Sequence, residues 1–371
     1  MTTTELSSLN DFSGLRPEHV SQAIQQGRKY GISREQSSRI QQAISHLLSE
    51  FEKREARYSD NTLTQLKSNW GRFVDWCLTE GHNSLPAAPE TVELFFECKK
   101  SALHRNSKKS YGWAISKMHR VTGCPDPMID EMVRDKMIAI YRRKVKSGER
   151  ITQASPFREK HLDLVTEYWR HSPSLLLRRN LSILTVAYET MLRAFELANI
   201  RFGDLEFPGD GTAIITIPIT KSNHSGDPDT TLLSAEAVSI LFEYLDMAKL
   251  DASIYESYVF AGITKHNSAM KQKCKIDPDT HERVYRKLST QTIEIAFNEA
   301  WSALNLGRVG VAPFTGHSAR VGACQDLLEE GYTIPQIQQA GRWSTPNMIM
   351  RYGRAILARD SAMARKRSGR Q

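Results

Sequence analysis

Apolar residues recur at helical spacing along most of this chain, and one short stretch departs from that rule. Leu63, Leu66, Trp70, Phe73 and Val74 fall on one stripe, as do Ile40, Ile44, Leu47 and Leu48 upstream. Ala213-Ile214-Ile215-Thr216-Ile217-Pro218-Ile219-Thr220 instead alternates β-branched residues. It runs into a polar turn, Lys221 to Asp229, with Thr230 to Leu233 as the returning strand. The pattern predicts a mainly α protein with a small antiparallel β-sheet. At 371 residues the chain exceeds one ordinary domain. Helices break at Leu85-Pro86-Ala87-Ala88-Pro89 and at Cys124-Pro125-Asp126-Pro127, and Lys144 to Arg150 is charged and poor in apolar residues. Residues 1–52 therefore read as a helix-leaning extension, capped at Ser33-Arg34-Glu35-Gln36. Residues 53–147 read as a helical domain and 148–155 as a linker. A second domain spans 156–352, opening with Ser155-Pro156-Phe157 and carrying a helix from Asn180 to Asn199. Residues 353–371 form a C-terminal helix and basic tail.

Charge narrows the range of partners. The net is +8 with an isoelectric point near 9.2, and it is unevenly spread. Residues 53–150 hold 19 basic and 12 acidic side chains, a net of +7, and 353–371 carry +5. Residues 1–52 carry −1 and 151–352 carry −3. A uniform basic coat is excluded, and a polyanion gripped by the helical domain is indicated. Arg105, Lys108, Lys109, Lys117 and Arg120 fall around one helix beginning near Asn106-Ser107, aimed at phosphates or bases unless they only solvate a face. No apolar run is long enough to cross a bilayer, and the start at Met1 lacks the features of a secretion signal. The five cysteines are scattered without a CxxC pair. A disulfide framework or structural zinc is not expected, and a reducing cytosol is.

Three fragments in the second half carry chemistry. His317 and Arg320 are three apart, Gly341-Arg342-Trp343 precedes Tyr352, and Arg193 and Glu196 share a helical face. Singly, each has an ordinary reading: a surface ion pair, a structural HxxR, a packed tyrosine, a solvated hairpin lysine at Lys221. The order Arg193, hairpin lysine, HxxR, Gly-x-Trp, tyrosine resembles the tyrosine site-specific recombinases of the phage integrase family. Leu192 to Glu196, Gly316 to Ala323 and Ile334 to Trp343 carry the resemblance. It extends weakly through Trp76-Cys77 and Thr122-Gly123-Cys124-Pro125, covering roughly residues 55–357. Most members carry histidine where Trp343 stands.

The resemblance implies a two-domain, C-shaped DNA clamp, with 53–147 as the core-binding domain and 156–352 as the α-rich catalytic domain. Tyr352 would attack a DNA phosphodiester and form a 3′-phosphotyrosyl bond. Its phenol, with an ordinary pKa of about 10, needs a cationic neighbourhood to do so. Arg193 and Arg320 present planar forks to phosphate oxygens. His317 donates to a phosphate oxygen or helps take the phenol proton. Lys221 is the general acid for the leaving 5′-oxygen, Trp343 donates its indole N–H and packs the site, and Glu196 orients Arg193 or His317. Ser59, Thr62, Thr64 and Gln65, then Arg105, Ser107, Lys109 and Ser110, face the DNA, with Lys265, Gln291 and Glu294 from the second domain. A member resembled in detail carries arginine where Gln291 stands; glutamine pairs best with adenine and arginine with guanine, so the target should differ there.

The same resemblance implies a homotetramer on two inverted-repeat, lox-like sites, a dimer per site, joined by exchange of the C-terminal helix. Strand exchange would pass through a Holliday junction. The tail beyond Ala364 departs from the pattern, and disorder is expected of the last five residues. No cofactor and no metal are expected. There is no P-loop, Asp227-Pro228-Asp229 and Asp277-Pro278-Asp279 read as turns, and Cys274 to His281 lacks metal spacing. A cytoplasmic, DNA-associated protein of prokaryotic, phage or plasmid origin fits. A catalytically silent DNA-binding regulator and an accessory-dependent phage integrase are the alternatives. The complete set of Arg193, Lys221, His317, Arg320, Trp343 and Tyr352 speaks against the first, and the nearly neutral first 52 residues against the second. A type IB topoisomerase shares the chemistry but is distant in sequence.

Overall fold

Side-chain caps set where many of the helices begin. Ser33, Ser59, Asp130, Ser174, Ser234 and Ser289 each accept a backbone N–H from the first turn of the helix they precede. Each such cap contributes about 1 kcal/mol. The computed structural model describes residues 12–54, 58–98, 103–218, 228–278, 281 and 283–368. The chain divides into two compact units, one ending at Ile151 and one starting at Thr152.

The first unit is entirely helical among its described residues: α1 Pro17–Tyr30, α2 Arg34–Lys53, α3 Asp60–Glu80, α4 Pro89–Glu97, α5 Arg105–Thr122 and α6 Glu131–Lys146. α5 is the hub, in contact with α1, α2 and α3. Phe73, Val92, Phe95, Tyr111, Ile115 and Met137 make its main core. Val20, Ile40, Ile44 and Leu47 build a second cluster around Cys124. The residues read as an extension are thus packed into the same unit. Gly123, with φ +71°, ends α5, and a Cβ there would lie 1.7 Å from the Pro17 carbonyl oxygen.

The second unit is built around α8 (Leu175–Thr190), which is buried along most of its length. Against it pack α7 Glu159–Trp169, α10 Ala235–Ala248, α11 Thr290–Ala303 and α12 Ser318–Glu329. The expected hairpin is present. β2 (Ala213–Ile217) pairs antiparallel with β3 (Asp229–Leu233), with Ile215 opposite Thr231. A short β1 (Leu205–Glu206) extends the sheet, and β4 (Cys274–Ile276) and β5 (Arg283–Tyr285) form a separate hairpin where the sequence shows only turn-like text. The helix expected from Asn180 to Asn199 is broken. Met191 takes a left-handed φ of +51°, and a short α9 (Ala194–Ala198) restarts after it. The chain then runs through α13 Ile334–Ala340, α14 Asn347–Tyr352, α15 Arg354–Arg359 and α16 Ala362–Ser368. Helix reaches Ser368, into the stretch expected to be disordered. No helix among the described residues is long and apolar enough to cross a membrane.

The segment entering the second unit is threaded tightly over α12. The Phe157 N–H donates to the Ser318 carbonyl at 3.0 Å. A Cβ on Gly322 would lie 1.8 Å from the Phe157 carbonyl oxygen, so only glycine allows the crossing. Arg158 Nε donates to Asp326 at 2.5 Å and its guanidinium also pairs with Glu329, while the Tyr188 hydroxyl donates to Asp326 at 2.7 Å.

Candidate active site

The break after α8 creates the first part of the site. Arg193 precedes α9, and the Glu196 carboxylate reaches back to it twice. The Arg193 N–H donates to Oε2 at 2.8 Å and Nη1 to Oε1 at 2.7 Å. Glu196 is buried, whereas the Arg193 side chain remains 27% exposed. This pair is therefore a buried brace with one open cation, unlike a surface i,i+3 pair.

α12 supplies the second part. His317 stands at its N-terminus, and Arg320, one turn on, is fully buried. Arg320 Nη1 donates to the Met191 carbonyl and Nη2 to the Gly341 carbonyl at 2.8 Å, and its guanidinium lies 4.8 Å from the centre of the Trp343 ring. Burial first, and the nearby Arg193 next, lower its pKa to about 10. Two of its donors are thus held by backbone carbonyls, so the expected open fork is partly engaged. Trp343 is buried and packs edge-on against Tyr352, ring centres 6.0 Å apart. Gly341 makes room for it, since a Cβ there would lie 2.2 Å from the indole.

Tyr352 ends α14 and is buried, with its hydroxyl 2.6 Å from His317 Nε2. Gln325 Nε2 fixes its backbone by donating to its carbonyl at 2.9 Å. Burial raises the phenol pKa, and the positive fields of Arg320, Arg351 and Arg193 oppose that rise. The outer edge of His317 is exposed, yet withdrawal of its ring from water, then Arg320, Arg193 and Arg351, hold its pKa down to about 4. The imidazole is neutral at pH 7. Paired with a neutral phenol it accepts the hydroxyl proton when Nδ1 carries its own. Arg351 enters this site without any signal in sequence beyond its place beside Tyr352.

Arg193, Glu196, His317, Arg320, Trp343 and Tyr352 are thus brought together. Lys221 lies outside the described residues. Glu294 is exposed on α11. Its Oε2 accepts the Gly316 N–H at 2.8 Å, which ties α11 to the residue before His317. Gln291 is exposed in the first turn of α11, and Lys265 is exposed in a turn closed by a Thr264–Ser268 backbone bond.

In the first unit the α5 cations divide. Lys108 points inward: it is buried, its Nζ donates to the Phe96 carbonyl at 2.6 Å, and burial followed by Lys144 and Arg143 pushes its pKa down to about 8. That corrects its assignment to a DNA-facing set, because its helical phase is that of Tyr111 and Ile115. Arg105 is engaged with Glu149 through its backbone N–H at 3.1 Å. Lys109 lies over the Tyr141 ring at 5.6 Å, and Lys117 over Tyr58 at 5.0 Å. Ser107 is half-buried, and the Ser110 hydroxyl donates to the Asn106 carbonyl at 3.3 Å. Ser59 and Thr62 bond to each other at 2.9 Å at the cap of α3, with Thr64 and Gln65 exposed beyond them.

A family model described as "Phage integrase family" matches residues 159–357. The recombinase Cre of Escherichia phage P1 is 29% identical over 328 residues, covering 86% of this chain and 91% of the relative. An integrase/recombinase XerD homolog of Selenomonas ruminantium is 26% identical, covering 79% and 81%. Among solved structures, the XerH site-specific recombinase bound to palindromic difH substrate in a post-cleavage complex superposes with a TM-score of 0.54. It is 13% identical, and the match covers 95% of this chain and 98% of that one.

Proposed function

The chain belongs to the phage integrase family and is a tyrosine site-specific recombinase, a DNA strand-exchange enzyme, and we propose that Tyr352 is its nucleophile at short inverted-repeat DNA sites. The observation that carries this reading is the 2.6 Å contact between the Tyr352 hydroxyl and the neutral His317. In the proposed reaction the phenol passes its proton to His317 Nε2 and the phenolate attacks the scissile phosphorus. The bond from phosphorus to the 5′-oxygen breaks, Lys221 gives that oxygen a proton, and the 3′-phosphate remains on Tyr352. Arg193 and Arg320 stabilise the charge on the non-bridging oxygens, Arg320 by exchanging a carbonyl partner for the phosphate. Trp343 packs the nucleophile and donates its indole N–H to the phosphate. Religation by the 5′-hydroxyl of the partner strand reverses the sequence. The phosphotyrosyl bond conserves the energy of the phosphodiester, so this scheme calls for neither nucleotide hydrolysis nor a metal.

The basic exposed face of α5 and the start of α3 would grip the duplex backbone, and Gln291 at the start of α11 would read a base, adenine by preference. α15 packs on α12 of its own chain. In the proposed assembly α16 docks on a neighbour, giving a dimer per site and a tetramer per pair of sites, through which a Holliday junction is made and resolved. The test is covalent capture. DNA from the native locus, or sites selected from a randomised inverted-repeat library, supplies a nicked suicide duplex. The wild-type chain should form an adduct stable to denaturation, and Tyr352→Phe should bind the duplex without forming it. Equal behaviour of the two sinks the assignment. The selected sites also show whether adenine stands where Gln291 reads.

A further inference from the structure

Arg342 stands in the Gly-x-Trp turn with a backbone φ of +50°, a region that disfavours a side chain and suits glycine. Its side chain is only 7% exposed. Nη1 donates to the Thr190 carbonyl at 3.0 Å and Nη2 to the Met191 carbonyl at 3.5 Å, and Nη2 lies 3.6 Å from Glu196 Oε2. The Met191 carbonyl also receives Arg320. Met191 is itself left-handed, so two non-glycine residues in unfavourable backbone conformations meet at one junction. The side chain's buried contacts offset the cost of that backbone conformation.

We propose that Arg342 is a positioning residue for strand cleavage, holding Glu196 and the Met191 turn so that Arg193 and Arg320 stay available to the phosphate. Glu196 is a buried carboxylate and must be balanced by nearby cations. With Arg342 on Oε2, the carboxylate is shared between two guanidinium groups, and Arg193 keeps donors for a substrate. Without Arg342, Arg193 is the remaining cation bonded to Glu196 and is drawn onto it. The turn carbonyl that anchors Arg320 loses its second donor at the same time. The Nε atoms of both Arg320 and Arg342 are buried without a hydrogen-bond partner among the described residues. The cluster therefore holds more donors than acceptors, as an anion site does.

The inference rests on the recombinase reading above, and the test separates the two. Full-length wild type, Tyr352→Phe, Arg342→Gly and Arg342→Lys are compared on the selected suicide duplex. The readouts are single-turnover adduct formation at saturating protein, duplex affinity and thermal midpoint. Arg342→Gly suits the backbone. It should bind like wild type and melt lower, since the Thr190 carbonyl loses its donor, yet stay folded at the assay temperature and form adduct about 10- to 100-fold more slowly. Arg342→Lys should recover part of that rate, and methylguanidinium added to Arg342→Gly should restore some of it. Arg342→Gly cleaving at the wild-type rate overturns the proposal, as does a loss of rate matched by loss of binding. If Arg342→Gly melts too early to assay, Arg342→Lys decides: wild-type cleavage by that variant overturns it. If wild type yields no adduct that Tyr352→Phe lacks, the recombination chemistry itself fails and takes this proposal with it.

Discussion

In the proposed reaction His317 has to be neutral to take a proton from Tyr352, and its surroundings favour the neutral form. An ordinary histidine loses half of its neutral form near pH 6.5. Here the pKa is held near 4 in the free protein, and the base is the deprotonated form, so its loss is postponed until pH falls through that lower value. Adduct formation at subsaturating DNA, which reports the free enzyme, should stay level from pH 8 to about 5 instead of halving near 6.5. A midpoint near 6.5 that disappears in His317→Ala would show an unshifted imidazole. The residues that the structure gathers into one cluster were legible because their types and their order along the chain are distinctive. Arg342 and Arg351 were not, since a lone arginine is an ordinary surface residue until the fold buries it or sets it beside a phenol. Glu196 was legible as a partner of Arg193, but its second oxygen, facing Arg342, depends on contacts across more than a hundred residues of chain.

Helical phase separates neighbours that composition treats alike. Lys108 and Lys109 are adjacent in sequence, yet one donates to a buried carbonyl and the other lies over Tyr141. Lys109→Ala and Lys117→Ala should each weaken DNA binding and reduce the slope of log affinity against log salt by about 1. Lys108→Ala should leave that slope unchanged and cost about 1–3 kcal/mol of stability, because the Phe96 carbonyl loses its donor. Salt titrations and urea melts of the three variants check this. The inward phase of Lys108 was readable from Tyr111, Ile115 and Met118, although its charge argued for the surface. The interruption at Met191 had no such signal: no glycine or proline marks it, and the apolar run continues through it. β1, β4 and β5 are only two or three residues long, too short for alternation to register.

The division near Ile151 follows the charged, apolar-poor stretch that the sequence shows, whereas the packing of α1 and α2 into the first unit came from cores that only the folded chain assembles. The crossing of residues 155–158 over α12 was likewise unreadable, because Gly322 and Phe157 are distant in sequence. It decides how the gene can be cut. A fragment beginning at Thr152 keeps the Phe157 and Arg158 anchors and should fold and melt cooperatively. One beginning at Glu159 strips the cover from Gly322 and leaves Asp326 without its arginine, and it should not fold. Circular dichroism melts of the two fragments check this. A split recombinase, reconstituted from two separately made halves, would therefore have its seam on the N-terminal side of Ser155, so that the few residues of incoming chain travel with the half that carries Tyr352.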